Sequence, residues 1–478
     1  MQALTHRSSC AWQGPLRADA HHPVVVLGFD GTSGPWLFRS LDQLPNFARV
    51  FAEASYGELR SCEPPITVPA WASMFSGLDP GELGLYGFRH RYGPDPEQQG
   101  MVHSGLLPPS MLWNRAAEHG KRCVLLGVPP SCPPPAVPGA AVGCFLTPEH
   151  EEGFASPKSL AERIRRNVPN YRFDIGDFRN RPAEQTWELL VEMARGHFRV
   201  AGDLVREEPF DLFAMVEIGS DRVQHLFWGE GRASGGEGSD AGPLVFEYYR
   251  VLDEELGRLL EVLGEKVHLW LVSDHGAQSM RGGVFLNEWL IRHGYLRLKE
   301  RPSKLAPLVS DLVDWSRTAA WAEGGYVGRI FLNVRGRQSR GVLSAAEADR
   351  VRAEIAQGLR ATLADGDGGH VPAEVWSATE RYQRVTGFPP DLFVYLDGLG
   401  CRAFGSVGSG ALWSSENDLG PDRANHHPLG FYAYRPPAGA GRGYIGERAL
   451  AELYPILLSQ LGIHSWREEC GTSGLSGG

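Results

Sequence analysis

Residues 24–31 read VVVLGFDG. An apolar run without polar alternation suits a strand buried on both faces, as in parallel sheets. Three further runs share the pattern: CVLLGVP (123–129), DLFAMVEI (211–218) and VHLWLVSD (267–274). Helix-period segments separate them. Phe47, Val50, Phe51 and Ala54 fall at i, i+3, i+4 and i+7, and residues 184–206 and 245–263 carry similar stripes. Strands alternating with helices indicate an α/β fold, with a central, mostly parallel sheet and helices on both faces.

Ligands of such sheets bind beyond the carboxyl ends of the strands. There the runs end in Asp30-Gly31, in Gly219-Ser220-Asp221 and in Asp274-His275-Gly276. Taken singly, each Asp suits a helix N-cap or a turn. Together they place like charges on one rim, which is costly without a cation. Asp221 and His225 are spaced i, i+4 and share a face if the segment is helical. His426 and His427 precede another apolar segment in ANHHPLGFYAY. Mixed imidazole and carboxylate donors suit zinc first, or manganese, and there are enough for two divalent ions. Two ions about 4 Å apart clamp the attacking and leaving oxygens of a phosphoryl group. Such ions also give Thr67, in EPPITVPAW (63–71), a use. Its hydroxyl is a poor nucleophile until a metal lowers its pKa. Pro65 and Pro69 stiffen the backbone, and a helix starting near Val68 turns its first N–H groups toward a phosphate.

The chain has 478 residues, of which 42% are hydrophobic, ample for a large core. A net charge of −10 argues against polymeric nucleic acid and is compatible with a small phosphorylated substrate. Seven cysteines (Cys10, Cys62, Cys123, Cys132, Cys144, Cys401 and Cys470) show no C-x-x-C spacing, which suggests reduced thiols in a cytoplasmic protein. No secretory h-region is read at the N-terminus. No apolar run approaches about 18 residues, so no membrane span is expected. Residues 1–22 and 467–478 read as tails around one α/β domain (23–466), which carries a cap-like insertion at about 286–400. Oligomeric state is not legible.

The ordered set GFDGT, PPITVPAWASMFSGLDPGELGLYGF, GVPPSCPPPAVPG, SDRVQHLFW, VSDHG and NHHPLGF resembles the type I phosphodiesterase/nucleotide pyrophosphatase branch of the alkaline phosphatase superfamily. The resemblance implies an alkaline phosphatase-like fold with Thr67 as nucleophile. It implies one ion held by Asp30, Thr67, Asp274 and His275, and another held by Asp221, His225 and His426. The spacing from His426 to Gly430-Phe431 selects His426 over His427, which is left to touch substrate. The implied reaction cleaves a small phosphodiester or nucleotide-like pyrophosphate through a phosphothreonine intermediate. A phosphomonoesterase, a phosphotransferase or mutase, and a non-catalytic metal-retaining protein stay open beside it.

The sequence departs from the family pattern at LGLYGF (83–88). Leu83 and Phe88 stand where nucleotide pyrophosphatases resemble a His and a phosphate-contacting Asn. Phe88, Arg89 and Arg91 are therefore candidate substrate contacts, with cationic residues as the substitute. Thr67-Val68-Pro69-Ala70-Trp71 lacks the x-Pro-x-Arg that sulfatases need after the nucleophile.

Overall fold

A computed structural model describes residues 22–229 and 241–464, apart from 367, 419 and 438. The four apolar runs form strands Val24–Phe29, Cys123–Leu126, Leu212–Glu217 and His268–Val272. They lie within a 10-stranded sheet in which Val24–Phe29 sits between Leu212–Glu217 and His268–Val272, parallel to both. On one side the sheet continues through Cys123–Leu126 and Gly139–Val142, again parallel. On the other, Leu429–Arg435 enters antiparallel between His268–Val272 and Ser55–Arg60. The fold is α/β with a large, mostly parallel central sheet.

Both faces of the sheet are covered, which is why its central strands are apolar throughout. Val25, Leu27 and Phe29 pack with residues of helices Pro45–Ala52, Ala183–Glu207 and Pro243–Leu263. Val24 and Val26 face the other way, toward helices Thr67–Met74, Leu112–Glu118 and Leu453–Gln460. Alternation along one strand thus feeds two cores.

Register decides where the polar residues end up. Phe29 pairs with Glu217 and Gly28 with Val272, so the carboxyl ends of these strands share one rim. Asp30 and Asp274 leave that rim directly, and Asp221 stands in the first turn of helix Gly219–Phe227.

Over this rim lies a smaller layer. Strands Ala320–Glu323, Gly328–Leu332, Leu392–Leu396 and Ala373–Trp376 form an antiparallel sheet. Helices Leu286–Arg292 and Ala345–Thr362 pack with it into a separate apolar core. Cys62, Cys123, Cys132, Cys144 and Cys401 carry free thiols, whereas Cys10 and Cys470 lie outside the described residues. So do the expected tails, apart from His22. Among the described residues no helix is long and apolar enough to cross a membrane.

Candidate metal centre and active site

Thr67 is the first residue of helix Thr67–Met74, whose N-cap, Ile66, is extended. The helix begins here because Ile66 follows the stiff Pro64-Pro65 pair, and it takes Pro69 in its first turn, where a missing N–H costs little. The Thr67 hydroxyl lies 3.4 Å from Asp30 Oδ1 and 3.3 Å from His275 Nε2. Around it, His275 Nε2 is 3.6 Å from Asp30 Oδ1 and 3.3 Å from Asp274 Oδ2. Asp221 Oδ1 is 3.2 Å from His225 Nε2 and 3.8 Å from His426 Nε2. None of Asp30, Thr67, Asp221, His225, Asp274, His275 and His426 is more than 3% exposed.

Local devices hold this cluster. Gly31 adopts φ +69°, which favours glycine, and a Cβ there would meet Asp221 Oδ1 at 2.9 Å. The Gly31 N–H donates to Asp274 Oδ1 at 3.2 Å, and Gln224 Nε2 donates to the Gly31 carbonyl at 2.9 Å. Trp71 Nε1 donates to Asp30 Oδ2 at 2.7 Å.

The three imidazoles point one way. His225 Nδ1 faces Asp422 Oδ1 at 2.9 Å and the Ala424 carbonyl at 3.1 Å. His275 Nδ1 faces the Gly276 carbonyl at 3.0 Å, and His426 Nδ1 the Pro65 carbonyl at 2.6 Å. A carbonyl oxygen only accepts, so Nδ1 carries the proton in each ring and the Nε2 lone pair faces the centre. His225 Nε2, His426 Nε2 and Asp274 Oδ2 are buried there without a hydrogen-bond partner. Buried polar atoms are nearly always satisfied, and these three converge on carboxylates. The donor set fits divalent cations. Among the described residues two groups gather within ligand range: Asp30, Asp274 and His275, and Asp221, His275 and His426; His225 stands in neither and meets the second through Asp221. His275 stands between the two.

The electrostatics carry the same message. Burial, followed by the Asp221 charge, pushes Asp30 well above the usual carboxylate range, and burial with Asp30 does the same to Asp274. Burial would raise Asp221 too, but His225, Arg222 and His426 hold it well below. Burial lowers His275 to about 4 and, with His275 beside it, pulls His426 well down. For His225, burial is overcome by the Asp221 charge, which holds it well above the ordinary histidine range. The neutral imidazoles of His275 and His426 and the crowded carboxylates Asp30 and Asp274 are the state a cation relieves.

Beside the cluster lies a cavity of about 730 Å³, whose lining includes Ile66, which precedes Thr67, Arg222, which donates to Asp221, and Tyr326, which stacks on His426. Phe88 and Arg89 line it, next to Phe145, Phe178, Arg222 and Tyr326. Two expected substrate contacts stand elsewhere. Arg91 pairs with Glu323 and lies over the Phe331 ring at 3.9 Å, outside this cavity. His427 follows His426 in strand Ala424–His427, where successive side chains face opposite ways. Its Nδ1 accepts from the Leu429 N–H at 3.1 Å.

Sequence reasoning missed three residues here. Asp422 backs His225, and Arg222 donates to Asp221 Oδ2 at 2.7 Å. Tyr326, from the upper layer, stacks on the His426 ring at 3.8 Å. Only Arg222 had a signal, its place inside SDRVQH.

Residues 24–397 match the family model of the type I phosphodiesterase / nucleotide pyrophosphatase proteins. The chain belongs to this family. The match makes this phosphodiesterase-family protein a hydrolase of the phosphodiesterase/nucleotide pyrophosphatase type. It ends before His426, whose place in the cluster is seen in the fold. Human ectonucleotide pyrophosphatase/phosphodiesterase 5 superposes with a TM-score of 0.55 at 13% identity, over 92% of this chain and 95% of that one. The murine protein, in an inactive form in complex with AMP, gives 0.53 at 13%, over 93% and 96%. At this identity the likeness speaks for the fold, alkaline phosphatase-like. A comparison with curated protein sequences finds no match.

Proposed function

We propose that this phosphodiesterase-family protein is a two-metal phosphohydrolase. In this reading it cleaves a small phosphodiester or nucleotide-like pyrophosphate, with Thr67 as the nucleophile. Asp30, Thr67, Asp274 and His275 would hold one ion, and Asp221, His225 and His426 the other, with zinc the first choice and manganese the second. Bound divalent ions supply Lewis-acid stabilisation of phosphoryl oxygens and lower the pKa of a nearby hydroxyl. One observation carries the reading: three buried imidazoles present Nε2 lone pairs to buried carboxylates around a threonine hydroxyl.

The chain's own residues divide the work. Thr67 Oγ1 attacks phosphorus as the P–O bond to the leaving alcohol or phosphate breaks, the hydroxyl proton going to that leaving group; water then cleaves the phosphothreonine, releasing the phosphate ester and restoring the Thr67 hydroxyl. The start of helix Thr67–Met74 turns N–H groups without helical acceptors toward the incoming oxygens. Asp422, Gly276, Pro65 and Trp71 fix the orientation of the rings and of Asp30. Phe88, Phe145 and Phe178 give the cavity apolar walls for the organic part of the substrate. AMP bound to the murine structural neighbour is a nucleotide of suitable size. The test is turnover of matched 4-nitrophenyl phosphodiesters and monoesters with zinc or manganese. Hydrolysis of diesters ahead of monoesters supports the reading, and inactivity toward both with metals bound contradicts it.

A further inference from the structure

Beside the cavity wall at Phe88, the arginines outnumber their carboxylates. Glu323 is the only acidic partner shown for Arg91 and Arg329 among the described residues. Its short contact goes to Arg91, whose Nη1 also donates to the Asp95 carbonyl at 3.2 Å. Arg329 is left with a looser contact, Nη2 to Glu323 Oε2 at 3.6 Å, and a long bond to the Gly324 carbonyl at 3.4 Å. Its Nε is buried without a hydrogen-bond partner. Arg89, exposed at the same wall, makes no ion pair among the described residues. Burial pulls Arg329 below its ordinary pKa; Glu323 opposes this, and the nearby charges of Arg91 and Arg89 add to it. The three guanidinium groups therefore feel one another.

Space has been kept for this arrangement. A Cβ on Gly87 would lie 2.9 Å from Arg329 Nη1 and 4.0 Å from Ile66 Cδ1. The Arg329 guanidinium thus packs against bare backbone, close to the residue that precedes Thr67. Both Arg329 and Arg89 line the same cavity as Phe88. Arg329 reaches it from strand Gly328–Leu332 of the upper layer, and Arg89 from strand Arg89–Arg91 below. A guanidinium fork matches a carboxylate or phosphate oxygen pair, and a partly desolvated one with an open donor is short of an anion.

We propose that Arg329 and Arg89 form an oxyanion subsite that takes a second anionic group of the substrate, a carboxylate or a phosphate, beyond the phosphorus that reacts. The proposal rests on the phosphohydrolase reading and narrows it. The substrate is a phosphodiester or phosphoanhydride whose organic part lies on the aromatic walls and whose second charge reaches the Arg329–Arg89 edge.

Three 4-nitrophenyl phosphodiesters test this, with butanol, 4-hydroxybutanoate or butanediol monophosphate as the second alcohol. Their binding is measured by calorimetry on the metal-loaded full chain carrying Thr67→Ala, so that no chemistry intervenes. At least one charged diester binds at least tenfold tighter than the butyl diester, and the stronger arm identifies the anion. Adding Arg89→Gln, at an exposed position that does not threaten folding, lowers the charged-to-neutral affinity ratio at least fivefold. Adding Arg329→Gln lowers it at least tenfold. No preference for either charged diester, or a ratio unchanged within twofold in both variants, overturns the subsite. Turnover of the butyl diester by the wild-type chain reports the phosphohydrolase reading by itself, so the two failures are distinct.

Discussion

His225 Nδ1 lies 2.9 Å from Asp422 Oδ1, and the same carboxylate meets Arg179 and Arg402. One fully buried side chain therefore orients a proposed metal ligand and anchors two cavity arginines. Carboxylates behind metal-bound imidazoles typically set affinity or activity by about 10–100-fold. Asp422→Ala is expected to weaken zinc binding by about that factor, measured by competition with a chromogenic chelator. It also leaves Arg179 and Arg402 without their acidic partner, so the thermal midpoint falls as well.

Thr67→Ala removes only the hydroxyl and one methyl from a helix N-terminus. The expected result is an intact fold with turnover reduced at least about 10³-fold. Thr67→Ser, which keeps the hydroxyl, retains measurable turnover. Circular dichroism and metal content check that both variants remain folded and loaded.

Removing metal leaves Asp30, Asp221 and Asp274 facing one another in a buried cluster. A chelator is expected to lower the thermal midpoint, and zinc or manganese to restore it. At a free ion concentration of 100 Kd, one site contributes about 2.7 kcal/mol. For a chain of this length that corresponds to a shift of roughly 3 °C, readable by scanning calorimetry.

His197 offers a pH test outside the metal centre. Its Nδ1 lies 2.7 Å from Glu217 Oε2 and its Nε2 2.7 Å from the Arg172 carbonyl. Burial alone would lower its pKa, but Glu217, and more weakly Asp174, raise it above the ordinary 6.5. The folded pKa exceeds the unfolded one, so its contribution is full below about pH 6.5 and is lost as pH rises through the folded value. Denaturant midpoints should fall over that window. In His197→Gln this part of the slope should disappear.

How much was legible follows from how local each signal is. Val24–Phe29 and its sister strands were readable because burial on both faces leaves an unbroken apolar run. Asp30, Asp274 and His275 were readable because they end such runs, and Asp221 with His225 because the helix period joins them. Asp422 and Tyr326 gave no signal. Both lie in irregular segments far along the chain from their partners, and only the fold brings Tyr326 onto His426. The RHR triplet could not reveal that Glu323, 232 residues away, takes Arg91 while Arg89 stays at the cavity. Strand alternation would have separated His426 from His427, had the strand Ala424–His427 been read from its sequence.

The central claim is that Thr67 takes the phosphoryl group before water does. Its most direct test is the stereochemical course of hydrolysis of a phosphorothioate diester chiral at phosphorus, in ¹⁸O-labelled water. Two successive in-line displacements each invert the centre, so the account predicts net retention. Net inversion would mean a single attack by water and would contradict Thr67 as the nucleophile.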